Sequence, residues 1–214
     1  MVVNSHPKMK LGFRLLCITD RNATHGRDLA GVISDLIQAG LRGLQIREKD
    51  LPDAQFNHLA ERIRKVTEEM PVRIFVNSRV DVARNMNAGL HLPDGSDIAG
   101  ARKILGTGWP IGVSCHSLPG ARAAQSAGAS FVLVGPVFPT ISKHPPTSTL
   151  GLDSLSEIAG SIGIPLVAVG GITPNNAPSC IEAGAMAVAS VGNLLGADNA
   201  RNTLIDFMRA LGRL

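Results

Sequence analysis

One pattern recurs eight times along the chain: a run of four to seven mostly apolar residues that ends in polar residues or glycine. The runs occupy residues 15–19, 43–47, 73–77, 89–92, 111–116, 131–137, 165–171 and 186–191. Runs this short, bounded by turn residues, read as strands buried on both faces. After the first of them Leu29, Val32, Ile33, Leu36 and Ile37 stand at i, i+3, i+4, i+7 and i+8, one face of a helix that Gly40 closes. Further helices are expected over about 52–69, 97–105, 118–127 (with Ser117 as N-cap), 173–184 and 198–211. Strands alternating with helices require a parallel sheet with right-handed crossovers, and eight such units close into a single-domain (β/α)8 TIM barrel. An open doubly wound sheet takes fewer strands and leaves the last units without a place. Residues 1–214 therefore read as one domain, with residues 1–12 as an N-terminal extension.

Composition narrows the function classes. An apolar fraction of 44% with 18% charged residues belongs to a globular chain and not to a disordered one. The net charge of +4 is modest, and with 3% aromatic residues and no tyrosine there is little to stack on exposed bases, so no nucleic-acid partner is expected. Cys17, Cys115 and Cys180 are scattered without a CxxC spacing, which fits a reducing compartment better than a disulfide framework or a zinc site. The start, MVVNSHPKMKLGF, lacks the apolar core of a signal peptide, and no apolar run is long enough to span a bilayer. A cytoplasmic location with no membrane partner follows as an expectation, and a homo-oligomer is left open. Neither GxSxG nor HExxH occurs, which removes the serine-hydrolase and zinc-protease readings.

In a barrel of this kind the site is assembled at the C-terminal ends of the strands. Those ends carry Gln45, Arg47 and Lys49, then Asn77, His91, Ser114 and His116, then Thr140, Ser142 and Lys143, then Gly170 and Gly171, and finally Ser190, Val191, Gly192 and Asn193. Arg47 offers a planar fork for a carboxylate or phosphate, and Lys49 and Lys143 add point charges, so the site reads as anion-binding. In PLVAVGGITPNN, residues 165–176, a strand meets a bare glycine turn, and Thr173 and Pro174 suit the N-cap and first position of a helix. Bare N–H groups beside a helix start suit a phosphate. The stretch 139–150, PTISKHPPTSTL, is too polar and proline-rich for an element and reads as a lid or substrate loop. Each residue also has a structural reading: Arg47 paired with Glu48, His91 packed in the core, the glycine turn without a ligand, the long loop as a solvated connection.

Taken together, QIREKD at 45–50, VNSRVDVA at 76–83, GLHLPDGSD at 89–97, SCHSLPGA at 114–121, GPVFPTISK at 135–143 and VAVGGITPNNA at 167–177 resemble the thiamin phosphate synthase superfamily, over about residues 15–195. The resemblance implies a (β/α)8 enzyme of thiamin biosynthesis whose substrate is a small phosphorylated thiazole. One branch, the synthase, joins a pyrimidine methyl pyrophosphate to thiazole phosphate with magnesium. Carried over, it puts pyrophosphate and pyrimidine contacts on Gln45, Arg47, Lys49, Asn77, Ser114 and Lys143. It puts thiazole phosphate contacts on Thr140, Ser142, Gly171 and the backbone around Gly192, with Gly170 and Val191 completing the phosphate turn. The magnesium carboxylates of that pattern are replaced by Ser78 and Ser96, and Asp94 or Asp97 stands nearby as a shifted ligand. The other branch, the thiazole tautomerase, aromatises a thiazole carboxylate phosphate without metal. Its NxRVD, LPxGS and SxHS marks appear at 77–81, 92–96 and 114–117, and it carries the general acid/base role to His116. The sequence reading therefore places the tautomerase first, with no cofactor, the synthase second with magnesium, and a non-catalytic thiazole-phosphate-binding paralogue third.

Overall fold

The computed structural model describes residues 10–140 and 148–212. The strands are β1 (Leu15–Ile18), β2 (Gly43–Ile46), β3 (Arg73–Asn77), β4 (Gly89–Leu92), β5 (Ile111–Cys115), β6 (Phe131–Val134), β7 (Leu166–Val169) and β8 (Ala187–Ser190). Between and after them run α1 (Leu29–Gln38), α2 (Asp53–Thr67), α3 (Val80–Asn85), α4 (Ile98–Leu105), α5 (Leu118–Ser126), α6 (Gly151–Ser161), α7 (Ala177–Glu182), α8 (Gly192–Leu195) and α9 (Ala200–Ala210). Every strand pairs in parallel with its sequence neighbours, and β1 also pairs with β8, so the sheet closes into the expected (β/α)8 barrel.

Alternation along each strand divides the core in two. Leu44, Ile46, Val76, Leu90, Leu92 and Val113 face outward onto the helices, whereas Leu16, Ile18, Phe75, Phe131, Leu133, Val167, Ala187 and Ala189 fill the lumen. The lower lumen is an aromatic floor. Phe13 meets Phe75 edge-on at 6.1 Å between centroids, and Phe75 meets Phe131 in the same way at 5.0 Å. Gly43 and Gly89 leave room for these rings: a Cβ would fall 2.7 Å from Phe13 Cγ and 2.6 Å from Phe75 Cδ1 respectively. Leu11, within the stretch read as an extension, is buried and packs into the same floor.

Side-chain caps start α1, α4 and α5, where Asp28, Asp97 and Ser117 accept from the N–H groups of Gly31, Gly100 and Gly120. Three helices were not anticipated. α3 and α8 are only six and four residues long, too short for periodicity to register, whereas α6 carries a legible stripe at Leu152, Leu155, Ile158 and Ala159. A further departure concerns α7, which starts at Ala177 and not at Thr173. Asn176 Oδ1 takes the Thr173 N–H at 2.8 Å and holds 173–176 in a turn, the competition with helix that a short amide side chain offers. Ser142, Lys143 and most of the proposed lid lie outside the described residues. Among the described residues no helix is long and apolar enough to cross a membrane. All three cysteines are free and buried, and burial pushes the Cys17 thiol up to about 12, the behaviour of a packing residue.

Candidate active site

Above the aromatic floor, four consecutive strands put polar side chains into the lumen. Gln45 lies between outward Leu44 and Ile46; Asn77 shares the parity of Phe75, His91 that of Gly89, and Ser114 that of Gly112. Asn77 and His91 are register partners across β3 and β4. Gln45 and His91 are 1% and 2% exposed, yet the Gln45 amide and both His91 ring nitrogens have no hydrogen-bond partner among the described residues. Such groups are costly to bury unless something polar completes them. Burial, with the nearby Arg47 charge, holds the His91 pKa down to about 3, so its ring is neutral. His91, whose position in the sequence suits a core or a site alike, thus lines the lumen with no polar partner among the described residues.

Arg47 follows β2 at the mouth. Its backbone N–H donates to Thr19 Oγ1 at 2.8 Å, and its half-buried guanidinium makes no hydrogen bond or ion pair among the described residues. The alternative pairing with Glu48 does not form, because Arg21 takes up the Glu48 carboxylate. Glu48, with its side chain 1% exposed, accepts instead from the Arg21 backbone N–H at 3.1 and 3.2 Å and from Arg21 Nη1 at 3.2 Å. Arg21 also forks onto Asp50, joining the loops after β1 and β2. Arg79 fixes the next loop: its guanidinium lies 4.0 Å over the Phe56 ring and donates to Asp53 Oδ1 and the Leu51 carbonyl. These braces leave the Arg47 guanidinium outside the ion pairs of the rim. Lys49 is exposed on the same rim.

At the end of β5, Ser114 is half-buried and His116 exposed. His116 Nδ1 is hydrogen-bonded to the Gly135 carbonyl, which only accepts, so Nδ1 is the donor of that bond and Nε2 is the ring nitrogen left to face other partners. Gly170 and Gly171, at φ +97° and +66°, form the turn after β7. Their lack of Cβ has a structural reason besides any ligand. A Cβ on Gly170 would lie 2.5 Å from Pro136 Cα, and one on Gly171 2.8 Å from Phe138 Cβ, because the chain leaving β6 runs against this turn through Phe138 N–H to Gly170 O. The Pro139 carbonyl also lies against Gly171, one residue before half-buried Thr140. The N–H groups of Gly171 and Gly192 engage no backbone acceptor among the described residues, and Val191 precedes α8 as its N-cap residue. The helix start expected at the turn is not there, since α7 begins only at Ala177, so its dipole is no part of the cradle.

The donor set does not fit a magnesium site of the synthase pattern. Ser78 Oγ is taken by the Asn77 amide at 2.9 Å, Ser96 Oγ donates to the Pro93 carbonyl, and the Asp97 carboxylate caps α4. Asp94 stands apart as an exposed carboxylate near the start of α5, and among the described residues no cluster of three metal-ligating side chains occurs.

Comparison with known proteins follows the same lines. Residues 15–194 match the family model described as thiamine monophosphate synthase. A putative thiamine-phosphate synthase of Geobacter sulfurreducens is 42% identical over 188 residues, covering 87% of this chain and 88% of the relative. A thiamine-phosphate synthase of Clostridium botulinum is 36% identical over 92% of this chain and 100% of its own length. Among solved structures, a thiamine phosphate pyrophosphorylase from Pyrococcus furiosus superposes with a TM-score of 0.84 at 29% identity, covering 94% of this chain and 96% of that one.

Proposed function

We propose a function from one premise: this chain belongs to the thiamine monophosphate synthase family. It is an enzyme of thiamine biosynthesis that takes a small phosphorylated thiazole, and its reaction is that of thiamine-phosphate synthase. Hydroxymethylpyrimidine pyrophosphate gives its methylene carbon to the thiazole nitrogen; the carbon–nitrogen bond forms, the carbon–oxygen bond breaks, and pyrophosphate leaves with the electron pair. The sequence reading had the tautomerase first; relatives at 36–42% identity, matched over nearly their whole lengths, support the synthase better. The observation in the molecule that carries this reading is Arg47, a half-buried guanidinium without a hydrogen bond or ion pair among the described residues, at the mouth above the neutral lumen wall of Gln45, Asn77, His91 and Ser114. Its fork receives the charge that develops on departing pyrophosphate, and Lys49 adds to the field. Uncharged amide, imidazole and hydroxyl groups below it suit a neutral heteroaromatic ring. The turn at Gly170 and Gly171, with Val191 and Gly192, takes the thiazole phosphate.

The tautomerase stands as the second reading on a specific observation: Ser78 and Ser96 replace the carboxylates, and His116 has Nε2 left to face other partners at the rim. Incubating the pure protein with the pyrimidine pyrophosphate and thiazole phosphate, and separately with thiazole carboxylate phosphate, decides between them. Thiamine phosphate is the expected product. Aromatisation without coupling, reduced about 10²–10⁴-fold in His116→Gln, would transfer the assignment to the tautomerase. Binding without either turnover would leave the non-catalytic paralogue.

A further inference from the structure

We infer that Asn176 and Asn193 are positioning residues that set the backbone of the anion turn before any ligand arrives. The inference rests on the reading that a phosphate sits at Gly170 and Gly171. Two consecutive glycines at positive φ are the most mobile backbone a chain can offer, and a ligand that had to order them would bind weakly. Here the six-residue α7 begins too late to hold them. The holding is done by side-chain amides. Asn176 uses both ends of its amide: Oδ1 accepts from the Thr173 N–H at 2.8 Å and Nδ2 donates to the Gly171 carbonyl at 3.0 Å. Asn193, in the short α8 that follows β8, donates to the Ile172 carbonyl at 2.9 Å. The Gly170 carbonyl is tied to the Phe138 N–H at 3.0 Å.

Three successive peptide planes are therefore fixed by their carbonyls. A trans peptide carries its N–H on the edge opposite its C=O, so tying back the carbonyls of 170 and 171 turns the N–H groups of Gly171 and Ile172 to the other side. Neither engages a backbone acceptor among the described residues. The Asn193 bond does one thing more: it joins the turn after β7 to the segment Val191–Gly192 after β8, so the two halves of the cradle keep one spacing.

Asn176→Asp keeps the acceptor for Thr173 but puts a second acceptor against the Gly171 carbonyl; Asn193→Ala, at an exposed position, removes only the bridge. The probe is inorganic phosphate, titrated by calorimetry into wild type and both variants, beside the unphosphorylated thiazole alcohol and thiazole phosphate. Each variant is expected to weaken phosphate by about 5–10-fold, the scale of one net hydrogen bond. Affinity for the alcohol should be unchanged, and KM for the phosphorylated thiazole should rise with kcat at saturation held. Wild-type phosphate affinity in the variants, equal loss on the alcohol, or a wild type that ignores phosphate would overturn the inference. If Asn176→Asp fails to fold, Asn193→Ala decides alone. Wild type that binds inorganic phosphate but not thiazole phosphate overturns the functional reading instead, and the inorganic-phosphate arm still judges the asparagines.

Discussion

His91 and Arg47 illustrate how far single positions carry information. In the sequence His91 is a histidine near a strand end, equally at home in a core or a site. Its neutrality comes from what surrounds it, full burial and the Arg47 charge, neither of which is written in GLHL. A measurable consequence follows from linkage. The folded ring titrates at about 3 and the unfolded ring near its ordinary 6.5, so the unfolded chain binds the extra proton first as pH falls. This contribution to stability is fully present above the ordinary value and is lost as pH drops toward the folded one. Between pH 7 and pH 5 it amounts to about 2 kcal/mol. Urea unfolding of wild type and His91→Gln at both pH values should show wild type losing more by that margin; parallel losses would refute the buried neutral imidazole. Arg47 shows the opposite case. Its chemistry was legible, and its pairing was not, because only the fold brings Arg21 to the Glu48 carboxylate and leaves Arg47 at the mouth outside that pair.

Between strands, the glycines at lumen positions decide how the barrel is filled. Gly89 has ordinary φ, so a methyl there meets no backbone strain but would lie against Phe75 Cδ1 at 2.6 Å and Cε1 at 2.8 Å and Pro110 Cγ at 3.0 Å. Gly89→Ala is expected to cost about 1–3 kcal/mol by overpacking. Gly160, in α6, is the counterpart: nothing lies within 4 Å of a Cβ, and Gly160→Ala should stabilise by about 0.5–1 kcal/mol through helix propensity and a less free unfolded chain. Denaturant midpoints compare the two directly; a neutral Gly89→Ala would mean the Phe13–Phe75–Phe131 floor is loosely packed. The elements were unequally legible for a matching reason. α1 and α9 bury one long stripe each and declare it by spacing, whereas α3 and α7 have six residues and owe their helicity to packing on the barrel. Thr173 and Pro174 have the chemistry of a helix start, and Asn176 overrides them by a closer hydrogen bond.

For the molecule as a whole, closure brings eight strand ends to one face, and the balance of charge on that face bears on metal use. With the hydroxyls of Ser78 and Ser96 engaged and Asp97 committed to a cap, the protein alone presents no magnesium site of the synthase pattern among the described residues. Metal-stripped protein titrated with manganese as a paramagnetic probe should show no saturable submillimolar site. A saturable site abolished by Asp94→Asn would show that the shifted carboxylate restores one. The sequence by itself determined the eight βα units, the parallel closed barrel and the set of residues at the strand ends, because period, turn residues and chain order are local properties that survive without coordinates. Only the tertiary structure decided which of those residues face the lumen, that Glu48 belongs to Arg21, that Gly170 and Gly171 are hemmed in by Pro136 and Phe138, and that two asparagines hold their carbonyls back. Each of these depends on groups far apart in the chain meeting at hydrogen-bond or van der Waals distance, which the barrel's closure brings about.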